Sequence, residues 1–123
     1  MTNKKQIMGL SFENLDVWKR ACKIAVQLYA LLKDCRDFSL RDQILRSAVS
    51  IASNIAEGQE RNSIPEFRWF LNIAKGSAAE LRTQLYISNA IQIIPDKECK
   101  QIIEDLKEIS RMLQGLSISL TKS

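Results

Sequence analysis

Four glycines and two prolines are spread over 123 residues, and this scarcity of chain-reversing residues constrains the fold more than any other feature. Few turns mean few elements, each of them long. No stretch alternates β-branched and polar residues over a strand's length, whereas apolar residues recur at three- and four-residue spacing almost throughout. The expected fold is all-α: an antiparallel up-down-up-down four-helix bundle over residues 11–123, behind a short, mobile, weakly basic segment over 1–10. The length suits one domain with a real core and is too small for two.

The punctuation divides the chain. Ser11 is positioned to cap a first helix, with Glu13 and Asp16 near its positive end and Phe12, Leu15, Trp18, Cys22, Ala25, Leu28, Tyr29 and Leu32 as its buried stripe. Ser39 is placed to cap a second helix that ends near Arg61-Asn62, with Asn62 in a left-handed conformation. Ser63-Ile64-Pro65-Glu66 is the clearest start signal, a capping serine, a proline in the first turn and a capping-box glutamate, for a third helix reaching about Ile91. Ile94-Pro95-Asp96 makes the last break, with Asp96 as the expected cap of the fourth helix. Small residues on the second helix (Ala48, Ala52, Ala56) and on the third (Ala74, Gly76, Ser77, Ala78) suit a close approach of these two backbones.

Residues 43–61 carry two opposed faces. Ile44, Leu45, Ala48, Val49, Ile51, Ala52, Ile55 and Ala56 form a stripe for the core. Gln43, Arg46, Ser50, Asn54, Glu57 and Arg61 line the other side. That line mixes hydroxyl, amide, carboxylate and guanidinium groups, which bond to one another or to a partner.

Several chemistries find no support. The chain has no histidine, so both the usual neutral-pH base and the Glu-x-x-His pairs of di-iron bundles are missing. Glu57 and Glu80 facing each other without nitrogen ligands would make a poor transition-metal site. There is no glycine-rich phosphate loop and no nucleophile elbow. No catalytic residue, metal or cofactor is expected. Cys22, Cys35 and Cys99 are odd in number, far apart and outside any C-x-x-C, which fits free thiols in a reducing compartment. With no apolar run near the ~18 residues of a membrane span, the expectation is a cytoplasmic protein without a membrane partner.

The surface offers two kinds of partner. Eighteen basic against fourteen acidic residues give a formal charge of +4, which permits a polyanionic partner without requiring one. Arg68, Lys75 and Arg82 fall seven apart, making one stripe about 20 Å long, with Tyr86 able to stack on a base. Lys19, Arg20 and Lys23 make a second patch, and Lys100, Lys107 and Arg111 a third. The competing reading is an ordinary solvated face with interspersed acids. Trp69 and Ile73 lie off the main stripe of the third helix, which suits an interface; the competing reading there is a monomer in which that helix is the most central.

Leu40-x-x-Gln43-Ile44-x-Arg46-Ser47-Ala48-x-Ser50-Ile51-x-x-Asn54-Ile55-Ala56-Glu57-Gly58-x-x-Arg61 and Phe67-x-x-Phe70-Leu71-x-Ile73-Ala74-x-Gly76-Ser77-x-x-Glu80-Leu81 resemble the two halves of the signature of the bacterial four helix bundle protein family. Phe12-Glu13-x-Leu15-x-Val17-Trp18 matches its opening, so the resemblance spans about residues 12–94. Two kinds of protein share the family. One is encoded by intervening sequences inside large-subunit ribosomal RNA genes; the other is the accessory variability determinant of diversity-generating retroelements. The second implies a homopentameric ring with a basic surface that binds RNA or DNA and a reverse transcriptase, with no enzymatic activity of its own. A motif so dense also suggests that Asn54, Glu57 and Arg61, with Arg46 and Glu80, form a hydrogen-bonded network between the second and third helices or between subunits. The expected function is thus that of a non-catalytic, homo-oligomeric nucleic-acid-binding accessory protein. The alternative is an oligomeric protein–protein scaffold that binds no nucleic acid.

Overall fold

The computed structural model describes residues 4–122. Helix α1 covers Lys4–Gly9 and a 3₁₀ turn covers Phe12–Asn14. Four long helices follow: α2 Asp16–Leu31, α3 Phe38–Glu60, α4 Ile64–Ala90 and α5 Asp96–Ser119. No strand occurs among the described residues. The all-α expectation therefore holds, and the long elements follow from the scarcity of breakers.

Each long helix contributes one apolar stripe to a single core: Val17, Ile24 and Leu28 from α2; Ile44, Ile51 and Ile55 from α3; Phe67, Leu71, Leu81 and Leu85 from α4; Ile102, Leu106 and Leu113 from α5. Helix α3 packs most extensively on α4, α4 on α5 and α2 on α3, while α2 closes more lightly onto α5. Cross-helix contacts run in opposite order along α3 and α4 (Ser47 to Glu80, then Ser50 to Ser77). They do so along α4 and α5 as well (Arg68 to Ser117, Lys75 to Gln114, Leu85 to Cys99). Both pairs are therefore antiparallel.

The α3–α4 contact is close at Gly58. A Cβ built there would lie 2.6 Å from the Cβ of Phe70 and 3.1 Å from Cδ1 of Phe67, so only hydrogen fits between the helices at that level. Gly76 behaves differently. It faces outward with nothing within 4 Å, so of the small residues expected to let these helices approach, Gly76 takes no part. The hydroxyls of Ser50 and Ser77 meet at 3.0 Å, and Ala74 and Ala78 are buried.

The caps explain where the helices begin. Ser63 accepts from the Glu66 N–H at 3.4 Å, and Asn62 is left-handed at φ 53°, as the sequence suggests. Three expectations need correction. Asp37, not Ser39, caps α3, its carboxylate accepting from the Leu40 N–H at 3.1 Å. Ser11 precedes the 3₁₀ turn and bonds Glu13, while α2 starts only at Asp16. Asp96 is the first residue of α5 rather than its cap; its carboxylate accepts from Lys100 and Asn89, which hold it below the ordinary carboxylate range. The segment before residue 11 also has structure: Ile7 of α1 is buried, and Gln59 donates from its side chain to the Leu10 carbonyl. Residues 1–3 of that segment lie outside the described residues.

Helix α4 ends on a residue that composition does not flag. Gln92 is left-handed at φ 63°, with Gln92 N–H bonded to Asn89 O at 3.1 Å and Ile93 N–H to Ser88 O at 2.9 Å. This is a Schellman stop with glutamine where glycine is usual. Gln92→Gly is expected to raise stability by up to about 1 kcal/mol by removing the Cβ penalty, read as a higher urea midpoint at unchanged slope. Gly58→Ala should lower stability by about 1–3 kcal/mol through overpacking. A midpoint for Gly58→Ala equal to that of the wild type would contradict the close approach.

Candidate nucleic-acid interface

The seven-residue spacing of Arg68, Lys75 and Arg82 sets them on the edge of α4 that faces α5. Arg68 Nε donates to Ser117 Oγ at 3.2 Å, and Lys75 Nζ donates to Gln114 Oε1 at 2.6 Å. Arg82 is half-buried and makes no ion pair among the described residues. Arg68 and Lys75 are thus held by neutral oxygens, and among the described residues the charge of all three is unanswered by a carboxylate. Tyr86, one turn beyond Arg82, is exposed.

The other basic groups are answered differently. Lys100 pairs with Asp96 at 3.1 Å, Lys107 with Glu104 at 3.2 Å and Arg111 with Glu108 at 2.8 Å. The patch expected on the fourth helix is therefore cancelled at short range. On α2, Arg20 is paired with Asp16 at 3.0 Å, while Lys19 and Lys23 remain exposed without an ion pair among the described residues. A phosphate approaching Arg20 would compete with a carboxylate already in place; one approaching Arg68 or Lys75 would not.

The polar line of α3 separates into two groups. In the middle, Ser47 Oγ donates to Glu80 Oε1 at 3.1 Å, and Asn54 Nδ2 donates to the Ser50 carbonyl at 2.8 Å and to its Oγ at 2.9 Å. At the end of α3, Arg61 reaches Glu57 at 2.9 Å and Glu66 at 3.7 Å and lies over the Phe70 ring, 5.2 Å from its centroid. Arg46 joins neither group; it is exposed and makes no ion pair among the described residues. Glu57 and Glu80 do not face each other. Glu80 lies opposite Ser47, ten residues from Glu57 along α3, or about 15 Å by helical rise. The cross-helix bonds within α3 and α4 fall on serines, and the small-residue pattern on both helices is the signal that marks them.

Trp69 is 61% exposed, its ring edge-on to Phe70 with centroids 5.0 Å apart. Ile73 is half-buried one turn on. Among the described residues no cluster of histidine, cysteine and carboxylate residues could hold a metal. Burial pushes the Cys22 and Cys99 thiols above their ordinary range, the direction opposite to that of a nucleophilic cysteine. No helix among the described residues is long and apolar enough to cross a membrane.

Residues 13–115 match the family model described as 23S rRNA-intervening sequence protein. The fold is similar to a crystal structure from Bacteroides thetaiotaomicron described as a protein with unknown function from the S23 ribosomal protein family. That similarity has a TM-score of 0.77 at 30% identity and covers 82% of this chain and 97% of the other. No match is found among curated proteins.

Because both members of the Arg61–Glu57 pair are about half exposed, Glu57→Ala should cost less than about 1 kcal/mol of unfolding free energy. A loss of several kcal/mol, or a fall in solution mass, would instead assign Glu57 to a buried or inter-subunit network.

Proposed function

Because the chain belongs to the 23S rRNA-intervening sequence protein family, we propose that it is a non-catalytic nucleic-acid-binding protein that works as a homo-oligomer and presents the α4 line Arg68, Lys75 and Arg82 to phosphate. The observation that carries this reading is the company those cations keep. Two lean on neutral Ser117 and Gln114, and among the described residues no carboxylate answers any of the three. An evenly spaced row of unanswered charge can follow a phosphate backbone, and the counterions it displaces supply the driving force.

Assembly is proposed through the outer face of α4. Trp69, Ile73 and Gly76 succeed one another at helical spacing there, with the exposed Ile87 further along. An exposed aromatic beside a glycine suits a facing helix, because the missing side chain admits a close neighbour. The resemblance to retroelement accessory proteins extends this to a pentamer that supports a reverse transcriptase. The exposed Trp69 face equally favours a second reading, a scaffold for protein partners alone.

Salt separates the two. Fluorescence anisotropy of a labelled structured RNA should show binding that weakens about 20- to 40-fold between 50 and 200 mM salt if three phosphate contacts are made. Replacing Arg68, Lys75 and Arg82 by glutamine should reduce the logarithmic salt slope by about 0.7–0.9 per cation removed. Absence of binding at the lower salt would leave the scaffold reading. Trp69→Ala should lower the mass measured by light scattering without unfolding the chain; an unchanged mass would remove Trp69 from the interface.

A further inference from the structure

On the side of the bundle opposite the α4–α5 edge, the C-terminal end of α2, the turn after it and the N-terminal half of α3 line an open cleft of ≈ 800 Å³. We propose that this cleft seats one nucleotide of a single-stranded nucleic acid, with the base on the Tyr29 ring and the adjoining phosphate between Lys33 and Arg46. The proposal rests on the nucleic-acid reading above but assigns a second, separate surface.

The first support is apolar. Tyr29 is 55% exposed and Val49 is 42% exposed, although both belong to periodic lines that otherwise enter the core. Both line the cleft, so that a ring and a branched side chain are left open to solvent on its walls. The second is electrostatic. Three cations line the cleft against one carboxylate, Asp42. Arg41 already binds that carboxylate at 3.2 Å and lies 4.8 Å from the centroid of the Phe38 ring. Lys33 and Arg46 are exposed and make no ion pair among the described residues. What remains is an aromatic face flanked by two unanswered cations, Lys33 from the turn after α2 and Arg46 from α3.

Among polyanions, nucleic acid matches that set best. Each nucleotide offers a flat face to stack and a phosphate to pair, and stacking on an aromatic side chain tolerates any base. An acidic protein segment would use the two charges but leave the ring without a flat partner. The ring also selects strandedness. A base must be unstacked to reach Tyr29, so the cleft should take single strands, whereas a row of cations such as Arg68, Lys75 and Arg82 touches phosphate alone and accepts duplex as well.

The test is a set of amide ¹H–¹⁵N spectra of the full chain at about 50 mM salt, where phosphate contacts are strong. The chain is titrated separately with a short oligoadenylate, an RNA duplex and poly-glutamate. The oligoadenylate should shift the amides of Tyr29 and Val49 as well as those of Lys33 and Arg46, whereas the other two should leave Tyr29 and Val49 in place. Tyr29→Leu should weaken oligoadenylate binding about 5- to 100-fold while Tyr29→Phe retains it; both changes are at an exposed position. Shifts confined to α4 and α5 would overturn the cleft and leave the proposed function standing. No shift with either RNA would overturn both. Equal cleft shifts with poly-glutamate, or unchanged affinity in Tyr29→Leu, would reduce the site to a general anion surface and overturn the assignment.

Discussion

Everything else in the bundle is arranged around the place where α3 and α4 meet without an intervening side chain. At Gly58 the Phe70 Cβ occupies the space that any larger residue would need. Two helices this close cannot slide, because each further contact is then set by register: Ser50 against Ser77, Ser47 against Glu80, Arg61 over Phe70. These polar contacts add little stability individually, since most are partly exposed. Their effect is to hold one alignment of the pair, onto which α2 and α5 pack from either side.

Much of this architecture is legible in the sequence because it depends on local chemistry. Pro65 and Pro95 end one helix and begin another for reasons internal to the backbone, and Ser63 and Asn62 act within a few residues of themselves. The misplacements share one cause, which is that a periodic pattern says which residues lie on one face and not which neighbour meets it. Tyr29 and Val49 sit on apolar lines, yet both are exposed on the walls of the α2–α3 cleft. Arg46 sits on the polar line of α3, yet α4 arrives on the adjacent line and takes Ser47 instead. Ser39 and Asp37 are both acceptable caps by residue type, and Asp37 is the one whose carboxylate meets the Leu40 N–H. Gln92 is invisible as a stop because the left-handed position usually announces itself with glycine or asparagine.

The candidate surfaces were only half legible for a similar reason. Spacing identifies Arg68, Lys75 and Arg82 as one line, but it gives Lys100, Lys107 and Arg111 equal standing. The difference lies in what each cation touches. The acids on α5 fall three or four residues from its bases and bind them, whereas the opposing residues along the α4 edge are serine and glutamine.

This pairing gives the molecule an uneven electric field. On α5 each of those three bases is matched by an acid within a turn, so at distances beyond a few ångströms that helix is nearly silent. Cations without an ion pair among the described residues include Arg68, Lys75 and Arg82 on the α4 edge, Lys33 and Arg46 at the α2–α3 cleft, and Lys19 and Lys23 on α2. A net charge of +4 spread evenly would attract a polyanion without orienting it. Placed unevenly, away from those three α5 pairs, the same charge would exert a torque on an approaching polyanion and bias diffusional encounters before any contact forms.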